Sequence, residues 1–332
     1  MIDLGDGLYV VPGYANAGLI RGRGGGGRGG AGSDGVATGE AACVIDARLF
    51  PESARELARL VHEACGGAPR FLVNTHFHGD HSAGSAAFLP QATVVAHDRT
   101  RQLLARYGAA HYHYLENFFG RPVSAAPTLP AVAFRHALQL HLGPRTVELR
   151  HLGCAHTAGD AVALCRDAGV VFAGDLVSDG VFPYLEDASC EGWIDALGEL
   201  LRLDADRYVP GHGPVVGRDA VAKFRDALSG LRDEVAAALV AGRTIDEAQA
   251  AVAVPAFSGW ALHDEWRPHA IKRVYRELKG LLRKSSPHPV PPALLRLAQG
   301  DRGEGDGDDR GEGGRNEGGR NEGGRNEGGP AE

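Results

Sequence analysis

The sequence predicts an α/β protein of two sheets sandwiched between helices, with a helical C-terminal segment and a disordered tail. Short apolar runs of strand length alternate with amphipathic helical stretches over most of its 332 residues. A hydrophobic content of 43% is enough to fill the core of one large domain. The composition then turns polar and glycine-rich towards the end. These observations place a folded domain at 1–287, with a glycine-rich insert at 21–35 and a helical part at 220–283, and a low-complexity tail at 288–332.

The elements follow in order. "GLYVVPG", "NAGLIRG" and "EAACVIDA" read as strands, interrupted by the flexible loop "RGRGGGGRGGAGSDG". Pro51 to Ala64 places Leu57, Leu60 and Val61 at helical spacing, and the strand "RFLVNT" follows. "HSAGSAAFL" resembles a short helix, "ATVVAH" a strand, and "DRTRQLLARYG" a helix opened by an aspartate cap. Phe134 to Leu142 and Thr146 to Leu152 alternate as strands around Gly143-Pro144. "DAVALCRDAGVVFAGD" is a strand pair turning at "RDAG". An amphipathic helix, Trp193 to Leu203, leads to the strand "RYVPG". Helices then span Ala220 to Val240, Ile245 to Ala251 and 269 to 282. The tail carries "GGRNE" three times and nothing apolar to bury within the repeat, so it is expected to be disordered.

Several classes of protein are disfavoured. No apolar run approaches the roughly 18 residues of a membrane span, and "MIDLGDGLYVVPG" lacks the pattern of a signal peptide. A cytoplasmic protein with no membrane partner is expected. Cys43, Cys65, Cys154, Cys165 and Cys190 are odd in number and widely spaced, which suits reduced, mostly core thiols. The net charge is −7, and residues 301–332 contribute ten acidic and five basic side chains, leaving −2 for the remainder. A near-neutral folded part argues against nucleic acid as a partner, although "RGRGGGGRGG" resembles an arginine-glycine box.

The chemistry concentrates in "THFHGDH", residues 75 to 81. In an extended loop His76 and His78 turn to one side, while Asp80 and His81 reach from the next turn towards a second point. Imidazole and carboxylate are ligands for zinc, iron or manganese. One loop rarely completes a two-metal site, and three further candidates follow apolar strands: His156 after "TVELRHLGCA", Asp175 after "GVVFAG" and His212 after "RYVPG".

Together "THFHGDH", "GCAHTAGD", "FAGDL" and "VPGHGP" resemble the metal-binding motifs of the metallo-β-lactamase-fold hydrolase superfamily, over roughly residues 3 to 283. The resemblance implies an αββα sandwich with two Zn(2+) per chain, iron or manganese being the other candidates. It implies that His76, His78 and His156 hold one metal, that Asp80, His81 and His212 hold the second, and that Asp175 bridges them. An aspartate at the bridging place resembles the glyoxalase II-like and general hydrolase branches rather than the true zinc β-lactamases. The implied reaction is hydrolysis of an ester, thioester, lactone or related amide of a small molecule by a metal-bridged hydroxide. Asp80 is the candidate for orienting the nucleophile and moving its proton. The alternatives are a mononuclear iron oxidoreductase resembling persulfide dioxygenases, an RNA-processing nuclease and a non-catalytic metal-binding protein.

Other residues carry weaker signals. His111 and His113 read as cleft-lining or packing residues. His97 is expected to cap the following helix, and His136, His141 and His151 to be surface or half-buried. Thr157 and Asp160 are candidates for hydrogen bonds to the ligands. Phe182, Tyr184 and Trp193 lie in the cleft or the core. Lys272 and Arg273 offer no recognisable glutathione site. The oligomeric state is left open.

Overall fold

The computed structural model describes residues 1–22, 41–124 and 126–281. All but the first two residues of the glycine-rich insert, and the whole tail from 288, lie outside the described residues. Strands β1 (Ile2–Gly5), β2 (Leu8–Val11), β3 (Ala17–Arg21) and β4 (Ala42–Ile45) form an antiparallel run. Its continuation through β5 (Phe71–Asn74), β6 (Thr93–His97) and β7 (Val132–Phe134) is parallel. A second sheet holds β8 (Ala137–Leu142), β9 (Arg145–Arg150), β10 (Val162–Cys165), β11 (Val170–Ser178), β12 (Arg207–His212) and β13 (Val216–Gly217). Within it only β11 and β12 pair in parallel.

The period of two along each strand sorts side chains into layers. In β4, Cys43 and Ile45 join Val73, Val95, Leu149 and Phe172 between the two sheets. Ala42 and Val44 face the other way, onto Leu57 and Val61 of helix α1 (Pro51–Cys65). On the far face of the second sheet, Leu164, Val171 and Tyr208 pack with Trp193 and Leu197 of α4 (Cys190–Leu200) and with Phe224 and Leu228 of α5 (Arg218–Val240). Each fully buried aliphatic or aromatic chain of this kind is worth about 1.5–3 kcal/mol. The expected helix–sheet–sheet–helix order is thus observed.

Local signals set the element ends. Helix α1 starts with Pro51, whose fixed φ suits the first turn, and stops at Gly66 in the left-handed region at φ 67°. The aspartate cap expected for α3 (Asp98–Phe119) is corrected: the cap is His97, whose Nδ1 accepts from Arg99 N–H at 3.3 Å, and Asp98 is the first helical residue. That helix also runs eleven residues past the expected "DRTRQLLARYG", because Leu115 and Phe119 continue its apolar face. The expected strand from Phe134 is divided, its first residue pairing with His97 of β6 in the other sheet. The unexpected strand β1 adds to the edge through β2. Helices α6 (Ile245–Ala251) and α7 (His263–Leu278) are the last among the described residues, where no helix is long and apolar enough to cross a membrane.

Candidate metal centre

The ends of β5 and β12, the interior of β11, helix-forming residues just after β5 and the loop between β9 and β10 bring seven side chains together. His76 lies just beyond β5, and His78 caps the short helix α2 (Gly79–Ser82) that carries Asp80 and His81. Asp175 projects from within β11 and His212 ends β12, whereas His156 lies six residues past β9. The expectation that these candidates follow strands therefore holds for His76, whereas His212 is itself the last residue of its strand.

Ligand atoms of His76, His78, His156 and Asp175 lie within 4.8 Å of one another, as do those of Asp80, His81 and His212. Asp175 reaches into both groups: its Oδ1 is 3.0 Å from His81 Nε2, and its Oδ2 is 3.4 Å from His156 Nε2 and 3.6 Å from His212 Nε2. Glycines permit this approach. A Cβ on Gly211 would stand 1.7 Å from Asp175 Oδ1, and one on Gly174, at φ +53°, would stand 2.6 Å from Thr75 Oγ1.

The outer hydrogen bonds fix the tautomers. His78 Nε2 donates to Asp187 Oδ2 at 3.0 Å, His156 Nδ1 to the Tyr184 carbonyl at 3.1 Å, and His212 Nδ1 to the Tyr14 carbonyl at 2.6 Å. His81 Nδ1 donates to Asp46 Oδ2 at 2.8 Å. Thr75 Oγ1 donates to that same oxygen at 2.8 Å, so it accepts from His76 Nδ1 at 3.0 Å. With five outer nitrogens each committed to an oxygen partner, five inner nitrogens face one another and two carboxylates. His156 Nε2 and His78 Nδ1 face each other at 2.9 Å. His76 Nε2, His81 Nε2 and Asp175 Oδ1 are buried without a hydrogen-bond partner, despite the short His81–Asp175 distance. Converging lone pairs around orphaned polar atoms fit divalent cations and fit little else.

The electrostatics divide the histidines into two kinds. Burial, with His81 nearby, holds His76 well below the usual histidine range, and burial pulls His156 down to about 3 against the opposing field of Asp175. Both imidazoles are therefore neutral and able to ligate. Burial opposes charge on His212 as well, but Asp175 and Asp80 outweigh it and raise that group to about 10.

Sequence reasoning missed Asp46 and Asp187, which orient ligands without joining them. Asp46 carried a signal, since it ends the strand-like "ACVID" just as the ligands end theirs. Asp187 carried none, being one acid in a long connection. Among the weaker candidates, Asp160 accepts from Thr157 N–H and Oγ1 at 2.8 and 2.6 Å and stiffens the turn after His156, its carboxylate bonding Thr157 rather than a candidate ligand ring. His111 accepts the Gly79 N–H at 3.1 Å and stacks on His78, while His113 is exposed. His151 stacks on His97 and bonds the Asp160 carbonyl, and His136 and His141 are exposed. Phe182 and Trp193 are buried and, with Tyr184, line the cleft above the centre. Arg273 is buried against the Ala188 carbonyl and Lys272 is exposed.

The family model described as the metallo-beta-lactamase superfamily matches residues 36–212. A curated relative, the 2,4-dinitroanisole O-demethylase subunit alpha of Nocardioides sp. (strain JS1661), is 27% identical over 173 residues, covering 51% of this chain and 48% of that protein. Among solved structures, the stereoselective inverting sec-alkylsulfatase Pisa1 from Pseudomonas sp. superposes with a TM-score of 0.65 at 17% identity, over 87% of this chain and 52% of that one. A metallo-beta-lactamase from Pontibacter korlensis gives 0.49 at 21% identity, over 67% and 99%. The chain thus spans about half the length of the curated relative and of the alkylsulfatase, and the latter likeness shows the fold.

Proposed function

The chain belongs to the metallo-beta-lactamase superfamily, and on that premise we propose that it is a metal-dependent hydrolase. Its substrate is a small molecule, and the bond it cleaves is an ester, thioester, lactone or related amide. The observation that carries this reading is the set of five histidines whose outer nitrogens are all committed, leaving five inner nitrogens and two carboxylates around one centre. His76, His78 and His156 would hold one cation and Asp80, His81 and His212 the other, with Asp175 shared. Bound divalent cations would supply an acidified water and a Lewis acid for the scissile group.

The chain's own residues do the rest. Asp46 and Asp187 keep His81 and His78 in the ligating tautomer. Asp80, which lines the cleft with its Oδ2 3.2 Å from His212 Nε2, would accept a proton from the attacking water. The curated relative is named for an aryl ether, which adds aryl methyl ethers to the substrates worth assaying.

The test is to load the purified chain with metal, count the ions, and assay lactones, thioesters, aryl esters, aryl ethers and β-lactams beside His78→Ala. Two zinc ions per chain and turnover abolished in the variant are expected. A single iron with oxygen uptake on a persulfide, or equal activity of wild type and variant on every hit, would overturn the reading.

A further inference from the structure

An open cleft of about 840 Å³, its solvent mouth included, leads to the seven side chains, and its walls are built from aromatic rings. On one side Tyr114 stacks on Phe118 at 6.2 Å between centroids, Phe118 meets Phe119 edge-on at 4.9 Å, and Phe119 meets Tyr14 at 5.4 Å. Tyr14 in turn packs its edge against His212 at 5.5 Å. On the other side Trp266 meets Tyr184 at 5.3 Å, and Tyr184 meets His78 at 5.6 Å. Each aromatic series therefore ends on an imidazole of the candidate metal centre.

Two further facts point to a ligand. The exposed aromatic residues among the described ones are Tyr14, Tyr114 and Phe118, at 53%, 38% and 64%, and all three line this cleft. Large rings left in water at one place mark a surface kept open for something apolar and flat. The cleft lining also contains no lysine or arginine among the described residues, and its charged side chains are Asp80 and Asp175, both at the centre. An anionic group on the part of a substrate remote from the reacting bond would lose its hydration there without gaining a cation.

We infer that the cleft selects substrates whose non-reacting portion is an uncharged aromatic ring system, held between the Phe118–Tyr14 and Trp266–Tyr184 walls. The inference rests on the hydrolase reading for the bond that is cleaved, but the recognition itself requires only binding. Phe118 and Trp266 are then specificity-determining residues, and a phenolic or other aryl leaving group is the natural product of the reaction.

Calorimetric titration of the metal-loaded full chain tests this with three probes: 2-naphthol, its saturated analogue decahydro-2-naphthol, and 6-hydroxynaphthalene-2-sulfonate, which carries an anion at the far end of the same ring. Expected is 2-naphthol binding at least tenfold tighter than either of the others, with Phe118→Ala and Trp266→Ala each weakening it about three- to tenfold. Phe118 is exposed, so its removal leaves the core intact even where Trp266→Ala fails to fold. Equal or tighter binding of the sulfonate or of the saturated alcohol overturns the inference, as does unchanged binding by Phe118→Ala. Hydrolysis of 2-naphthyl acetate and its 6-sulfonate, followed in parallel, separates the two readings. The expected binding pattern without any turnover sinks the hydrolase reading alone, whereas turnover indifferent to ring and charge sinks the aromatic one alone.

Discussion

Asp187 Oδ2 lies 3.0 Å from His78 Nε2, and both side chains are buried. The contact fixes which nitrogen of His78 faces the centre. Asp187→Ala is therefore expected to weaken metal binding roughly 10- to 100-fold, as losses of such outer partners do. Competition for zinc against a chromophoric chelator measures it, and unchanged affinity would place the orienting force elsewhere.

The segment that carries Asp187 is tied to helix α7. Arg273 Nε donates to the Ala188 carbonyl at 2.8 Å, and Glu277 accepts from Ser189 Oγ at 2.6 Å and from the Cys190 N–H at 2.8 Å. Glu277→Ala removes two charge-assisted bonds at the start of α4 and should lower stability by about 1.5–3 kcal/mol. A shift of the urea midpoint reads this directly. Because the same bonds position Asp187, zinc affinity should fall in the same variant although Glu277 is not near the metal ligands in sequence.

Gly211 is the residue whose missing side chain makes room for Asp175. With a Cβ only 1.7 Å from Asp175 Oδ1, Gly211→Ala must displace either that carboxylate or the β12 backbone. The expected outcome is bound metal falling below the wild-type stoichiometry, with the far-UV spectrum retained. A variant that binds the full complement would show that Asp175 can move without losing its shared role.

Much of this centre was legible because strand ends announce themselves. His76 and His212 follow apolar runs ended by the sheet, and the HxHxDH spacing puts four donors on one turn. His156 was found by its motif although it sits in a longer irregular connection. The capping of α3 carried two competing readings because Asp98 and His97 are adjacent and both can accept a backbone N–H, a choice that the φ and ψ at the strand end decide for His97, as expected of that residue, and against the aspartate. Asp187 and Glu277 were silent for a different reason. Their partners lie 109 and 87 or more residues away, and no local periodicity encodes a contact of that range. The aromatic cleft was half visible, since Tyr184 and Trp193 were candidates, but Tyr14 and Trp266 come from opposite ends of the chain.

Burial pushes the Asp160 carboxyl up to about 7, against the hydrogen bonds from Thr157. Its folded value is raised above the unfolded one of 3.8, so its contribution to stability is complete below about pH 4. As pH rises towards 7 the unfolded chain ionises while the folded one retains the proton, and stability falls by up to about 1.4 kcal/mol per pH unit. Asp160→Asn keeps an acceptor for Thr157 N–H and has nothing to ionise, so it should lose this slope. Urea midpoints of both proteins between pH 4 and pH 8 decide it: parallel curves would mean that Asp160 titrates normally.

Removing metal should cost stability as well as activity, and the two losses have one origin. Without cations, the inner nitrogens of His76, His78, His81, His156 and His212 face each other and the carboxylates of Asp80 and Asp175 in a largely buried space. Ions that bind only the folded chain stabilise it by about 2.7 kcal/mol when present at 100 times their dissociation constant. A chelator should therefore lower the Tm of the wild type by several degrees, and added zinc should restore it. His78→Ala, which loses one ligand of the first group, should show a smaller chelator-dependent drop together with a lower starting Tm. Scanning calorimetry of both proteins, with and without chelator, provides the comparison. Equal drops would show that the stabilising ions sit away from His78, and no drop in either would remove the case for a structural contribution of metal at this centre.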